Sequence, residues 1–357
     1  MHCLHIQMKS VILQLSIKIK ATEGGFIMKY LVEPLQTGKL LLKNRLVMPP
    51  MATAMCNKDG SLSKELLDYY DEKSQGGYIG LIIIEHSFIT QQGRVREKQL
   101  SIADDSLINS YKELASTIHK NGSKVVMQIN HAGGAAKKEV TGMNVVAPSA
   151  VINPFHQDQL IPKALTLKEI KDIVHAFASA ARRVKEAGFD GVEIHSAHGY
   201  LLNQFFSPLT NKRTDEYGGD LSSRINIHLE VIKSVREAVG ENFPILLRLG
   251  ACDYINGGTT IADSEFAAIQ FAKAGIDMLD ISGGLRGYKN PKNSDEGYFS
   301  SLTEDIEKIL TIPVILTGGI TQAQVAEKLL SEKKANLIGV GRAIMNDSNW
   351  AKNALSI

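Results

Sequence analysis

From Met28 onward, short runs of β-branched and other apolar residues alternate with longer segments whose apolar positions recur every three to four residues. Runs of the first kind predict strands and segments of the second kind predict amphipathic helices, so the alternation predicts βαβ units around a parallel sheet. Eight runs qualify as strands: residues 45–48, 80–85, 124–130, 191–195, 244–249, 278–282, 313–317 and 337–341. Leu81-Ile82-Ile83-Ile84 is continuously apolar rather than alternating, as expected of a strand buried on both faces. Ile170, Ile173, Val174, Phe177 and Val184 form one helical stripe, and Leu107, Tyr111, Leu114 and Ile118 another. Gly188, Gly122 and Gly275 follow such stripes, where a left-handed residue ends a helix and turns the chain back. The pattern fixes the class as α/β. Counting units does not by itself separate a closed barrel from an open doubly wound sheet; the motifs at the strand ends favour a closed (β/α)8 TIM barrel.

Two connections are long, residues 132–166 and 196–221, and both leave the C-terminal ends of predicted strands. Barrel enzymes keep their chemistry on that face, and long loops there commonly carry function. Residues 1–27 stand apart from the alternating pattern. Their apolar stretch, 11–19, is broken by Gln14, Ser16 and Lys18, is too short to span a bilayer, and precedes no signal-peptidase site. These residues are read as an extension outside the core, either a disordered leader or the product of a misplaced start. Glu23-Gly24-Gly25 could be encoded by a purine-rich ribosome-binding sequence just ahead of a true start at Met28. The barrel is assigned to residues 28–357.

Composition narrows the function. The chain has 357 residues, within the range of one barrel, and 44% hydrophobic with 22% charged residues suits a large packed core. Forty basic and 38 acidic residues leave a formal charge of +2 without blocks of one sign, so neither nucleic acid nor a membrane surface is an expected partner. A small-molecule substrate is expected, a homo-oligomer is compatible with the sequence, and the location is expected to be cytoplasmic. The three cysteines, Cys3, Cys56 and Cys252, are too far apart in sequence to form a CxxC motif for a metal or cluster.

Several polar residues interrupt runs that should be apolar. The fourth strand ends in Val192-Glu193-Ile194-His195 and continues Ser196-Ala197-His198-Gly199-Tyr200, bringing two imidazoles and a phenol to a strand end. Neutral imidazoles can polarise a substrate oxygen, and a tyrosine can donate a proton to a developing carbanion. The same His-x-x-His spacing is also open to a metal site, hence to a non-redox lyase or hydrolase, with Glu193 as a further ligand. Arg248 within Leu246-Leu247-Arg248-Leu249 needs an anionic partner, either a protein carboxylate or a cofactor. Gln128 places an amide in the third strand, suited to recognising a heterocycle. Gly318-Gly319 follows the seventh strand, and Gly341-Arg342 the eighth. That is where barrels bind phosphate. No GxGxxG fingerprint accompanies them, so a nicotinamide donor would visit the site rather than occupy its own domain.

Four blocks carry a family resemblance: Asn44 to Met51 (NRLVMPPM), Gln128 to Gly133 (QINHAG), His195 to Leu202 (HSAHGYLL) and Asn211 to Gly219 (NKRTDEYGG). In their order along the chain they resemble the Old Yellow Enzyme family of NADH:flavin oxidoreductases. The resemblance implies an FMN across the barrel mouth. Pro49, Pro50, Met51, Ala52 and His86 would lie beside its ring, Gln128 and Arg248 at its pyrimidine edge, and Gly318, Gly319, Gly341 and Arg342 at its phosphate. It further implies that NADH or NADPH reduces the flavin directly. The flavin then reduces an activated alkene held by His195 and His198 and protonated by Tyr200. The chain departs from the family pattern at Ala52, where many relatives have a threonine or cysteine facing the flavin C4 carbonyl. It departs again at Ala54 and at Gly134, where a tyrosine and an arginine occur in relatives.

Overall fold

The computed structural model describes residues 28–156 and 160–356; the predicted extension 1–27 lies outside the described residues. Eight parallel strands close into one barrel in chain order, with the last pairing to the first. They are β1 (Leu46–Met48), β2 (Leu81–Phe88), β3 (Lys124–Asn130), β4 (Gly191–Ser196), β5 (Ile245–Gly250), β6 (Met278–Ser282), β7 (Val314–Thr317) and β8 (Leu337–Gly339). Closure bears out the (β/α)8 TIM barrel expected from the sequence. The predicted strand ends agree to within two residues except at β2, which runs three residues further, to Phe88.

That extension has a local cause. Ile84 pairs with Met127 and Ser87 with Ile129, so β2 spends two residues, Glu85 and His86, against the single Gln128 of β3. A bulge of this kind resets the in–out alternation and re-aims a side chain. His86 thereby lines the cavity at the barrel mouth.

Among the described residues the seven longest helices of the connections are α1 (Lys64–Ser74), α2 (Ile108–Lys120), α3 (Leu167–Glu186), α4 (Asn226–Val239), α5 (Ile261–Ala274), α6 (Ser300–Glu307) and α7 (Ala323–Ser331). A short helix, Arg342–Asn346, and α8 (Trp350–Leu355) follow β8. Helix starts are set by side-chain caps. Thr166 with Glu169 and Thr260 with Asp263 form reciprocal capping boxes on α3 and α5. The stripe Ile170, Ile173, Val174, Phe177 and Val184 is buried against the barrel as its spacing predicts. Gly122, Gly188 and Gly275, which follow α2, α3 and α5, have φ of 92°, 79° and 107°, conformations that a Cβ would strain.

Inside the barrel, Val47, Leu81, Ile83, Val126, Leu246, Met278, Ile315 and Leu337 form one apolar cluster with Leu40 and Leu42. The last two belong to or flank an antiparallel hairpin, Leu35–Gln36 with Leu41–Leu42, which closes the N-terminal end. Because side chains repeat every two residues, the next inward layer is Gln128, Glu193, Arg248, Asp280 and Thr317. The barrel is therefore oily at its floor and polar from mid-height to its mouth.

Candidate active site

The mouth holds a cavity of about 590 Å³, within the size range of small-molecule sites. Its wall includes Pro49, Pro50, Met51 and Ala52 after β1, His86 on the β2 bulge, Gln128 on β3, and His195, His198 and Tyr200 at the end of β4. Arg248, Gly319, Gly341 and Arg342 complete the part that the sequence singled out. Gly318 stands behind that wall, its carbonyl accepting the Gly297 N–H at 2.6 Å.

The two histidines and the tyrosine are mutually oriented. The His195 ring meets His198 edge-on at 5.0 Å and Tyr200 edge-on at 5.1 Å, while His86 stacks nearly parallel to Tyr200 at 5.8 Å. His198 has φ of 61°, a left-handed conformation costly for a non-glycine residue and found where function over-determines the backbone. Its Nε2 lies 2.7 Å from the Ser282 hydroxyl. The turn is pinned from below: Asn203 Oδ1 accepts the Gly199 N–H at 2.8 Å, and Gln204 Nε2 donates to the carbonyls of Gly199 and Ala132. Gly134 donates its N–H to Gln204 Oε1 at 3.0 Å, which ties the long loop after β3 to the same turn.

Burial dictates the protonation states. Desolvation, and then the nearby Arg96 and Arg248, pushes His86 down to about 3, and desolvation holds His195 and His198 well below the usual histidine value. All three imidazoles are neutral at pH 7, so each presents one N–H donor. Desolvation raises the Tyr200 phenol above its ordinary value, opposed by the Arg96 guanidinium, and the group stays protonated.

Beneath them lies the buried polar layer. Gln128 Nε2 donates to Glu193 Oε1 at 2.7 Å, which directs the amide oxygen elsewhere. Arg248 Nε approaches Asp280 Oδ2 at 3.1 Å, but the angle is too poor for a hydrogen bond. The sequence left Arg248 with a carboxylate or a cofactor as partner; the fold supplies Asp280 and also exposes the guanidinium to the cavity. Glu193 faces Gln128, not His198, and among the described residues no three His, Cys, Asp or Glu side chains are grouped to hold a metal.

The sequence reading missed Arg96, Ser282, Arg286, Tyr288, Tyr298 and Thr317, all on the cavity wall. Arg96, Arg286 and Tyr288 come from loops, where no periodicity marks them. Asp280 was also missed, though a charge in the apolar run Met278-Leu279-Asp280-Ile281 is the same signal that marked Arg248. The fingerprint block around Asn211 is structural: Arg213 pairs with Asp215 and donates to the carbonyls of Pro148 and Leu165, bracing the long loop.

Residues 30–356 match the model of the NADH:flavin oxidoreductase / NADH oxidase family. The chain belongs to that family. It is 41% identical over 325 residues to an NADH oxidase of Thermoanaerobacter brockii, covering 89% of this chain but 49% of that protein, so it spans about half that relative's length. It is 40% identical over 309 residues to an NADPH dehydrogenase of Clostridium acetobutylicum, covering 86% and 89% of the two chains. The solved Old Yellow Enzyme homologue of Zymomonas mobilis superposes with a TM-score of 0.79 at 26% identity, over 92% of this chain and 93% of that one. The expected Old Yellow Enzyme-type FMN-binding barrel is thereby established. Among the described residues no helix is long and apolar enough to cross a membrane.

Proposed function

We propose that this protein is an FMN-dependent ene-reductase, taking electrons from NADH or NADPH and passing them to electron-poor C=C bonds. The observation that carries the reading is one cavity with two chemistries on its wall. One side carries Arg248, Gln128, Arg342 and glycine turns suited to hold a flavin, and the other carries a neutral imidazole pair beside a protonated phenol.

The chain's own residues fit the cofactor. Arg248 is buried with its Nε unpartnered, and a cationic group at a flavin's pyrimidine edge favours negative charge there. The Gln128 amide oxygen, free of Glu193, would accept from the ring's imide N–H. Arg342 with the Gly319 and Gly341 backbone would hold the phosphate, with Gly318 forming the turn behind. Glycine is required at Gly319, and Gly341 is closely packed. Gly319 has φ of 68°, and a Cβ there would sit 2.6 Å from the Tyr298 ring. A Cβ on Gly341 would sit 2.7 Å from Met51 Sδ. When bound, FMN would accept hydride from the nicotinamide and deliver it to the alkene's β-carbon.

His195 and His198 would then donate hydrogen bonds to the activating oxygen of the alkene, drawing charge away from the β-carbon. Tyr200 would give its proton to the α-carbon, a role that its raised phenol suits because it stays neutral until a strong base develops beside it. Tyr200→Phe is the test. Alkene reduction is expected to fall by about 100-fold, in the range typical of a lost general acid, while flavin reduction by NAD(P)H stays within a few-fold. Equal loss in both half-reactions would remove Tyr200 from the proton-donor role. A protein that takes up no FMN would remove the whole reading.

A further inference from the structure

The layer beneath the flavin site holds two buried carboxylates, for which the chemistry above has no use beyond Glu193's hold on the Gln128 amide. Glu193 and Asp280 are each fully shielded from solvent, and Arg248 is nearly so. They sit on the adjacent strands β4, β5 and β6, with Asp280 in register with Arg248 and Glu193 two residues below the position that pairs with it. One arginine therefore faces two acids. Glu193 Oε2 and both Asp280 oxygens lack a hydrogen-bond partner among protein atoms, and so does Arg248 Nε. Two ionised carboxylates beside a single cation would leave a net negative charge buried, which a protein interior strongly disfavours.

Among the described residues Arg248 is the one cation that acts on the two acids; Arg96, Arg286 and Arg342 stand further up the cavity wall. Gln128 of β3 and Thr317 of β7 are neutral, and His195 and His198 above are held neutral by burial and by Arg248 itself. On β2, His86 is likewise neutral, and Glu85 is occupied by the Thr53 N–H and hydroxyl. β1 and β8 contribute the apolar Val47 and Leu337 to the interior.

We propose that Glu193 and Asp280 form a redox-linked proton site, sharing one proton in the resting protein and binding a second when negative charge is added at the cofactor edge facing Arg248. The added charge draws on the same guanidinium that offsets the two acids, so a carboxylate left without it takes a proton from solvent. Burial raises both carboxylates above the usual carboxylate range, and repulsion from Asp280 raises Glu193 further, which favours a proton held between them. The step balances: the hydride brings two electrons and one proton to the cofactor, and one further proton from water ends on the carboxylate pair.

The inference rests on FMN lying against Arg248 and not on the identity of the alkene. Failure to take up FMN would end both proposals, whereas an FMN-loaded protein that reduces no alkene would end only the first. The test is the midpoint potential of the FMN-loaded protein against pH, with the reduced-flavin spectrum reporting any protonation of the ring itself. For a two-electron couple, each proton taken up contributes about 30 mV per tenfold change in proton activity. The wild type should follow a two-proton slope, about 59 mV per pH unit, through neutrality with an unchanged reduced-flavin spectrum. Glu193→Gln and Asp280→Asn should each return it to a one-proton slope. Equal slopes in wild type and variants, or a slope that tracks a spectral change of the ring, would overturn the proposal. If the variants do not retain FMN, infrared difference spectra of the wild type decide it. A carboxylic acid band gained on reduction and shifted in D2O supports the site, and its absence overturns it.

Discussion

Three histidines at the mouth share one physical fate, because removing an imidazole from water penalises its charged form and no carboxylate approaches them to reverse the sign. His86 is the sharpest case, pushed down to about 3. In a histidine-edited NMR titration its ring signals should stay at neutral-imidazole positions from pH 8 down to pH 5. A midpoint near 6.5 would show that the ring sees solvent. At this scale the sequence was informative wherever polarity broke an apolar run, as at His195, Arg248 and Gln128. It was silent on Arg96 and Tyr288, whose loops bring them to the wall only after folding. It also placed the Asn211 block among the identifying features without indicating that its work is to brace the loop.

At the scale of elements, position depends on backbone detail. The β2 bulge is one residue long, yet it turns His86 toward the cavity, and no pattern of apolar positions announces it. Gly341 provides a test of the cradle where β8 gives way to the short helix Arg342–Asn346. Its φ is negative, so alanine is strained there by contact and not by backbone. The new methyl would press on Met51 Sδ at 2.7 Å and on Pro49 Cγ at 3.3 Å, both on the cavity wall. Overpacking of this kind costs about 1–3 kcal/mol. Gly341→Ala should therefore weaken FMN binding by roughly ten- to a hundredfold in a fluorescence titration, with the circular dichroism spectrum unchanged. Unaltered affinity would place the flavin away from this turn.

For the whole molecule, buried ionisable groups make stability depend on pH in two opposite senses. Among the described residues five histidines have depressed values: His86, His131, His195, His198 and His228. The unfolded chain binds protons to them first, so they cost stability as pH falls below about 6.5 toward 3. Three carboxylates have raised values, Glu85 at about 7, Glu193 at about 8 and Asp280 at about 6. Their contribution is fully present below the unfolded value near 4 and is lost as pH rises through 6 to 8. Below pH 6.5 the five histidines outweigh the three acids, and above it only the acids act. The FMN-free protein should melt at its highest temperature near pH 6.5 and lose stability on both sides in a calorimetric series. Glu193→Gln should flatten the alkaline limb, and a melting temperature that rises from pH 6.5 to 8 would contradict this account.

The sequence by itself determined the α/β alternation, the strand and helix positions and the main chemistry-bearing residues, because apolar periodicity and misplaced polar groups are local signals. It also carried the family, through motifs contiguous in the chain. Only the tertiary structure decided closure of the barrel, since the pairing of β8 with β1 joins residues nearly three hundred positions apart. Only the fold revealed that Arg248 answers to Asp280 as well as to the cavity, and that His195, His198, Tyr200 and His86 share one wall. Those are distances across a closed barrel, set by register and by one bulge, and no stretch of sequence contains them.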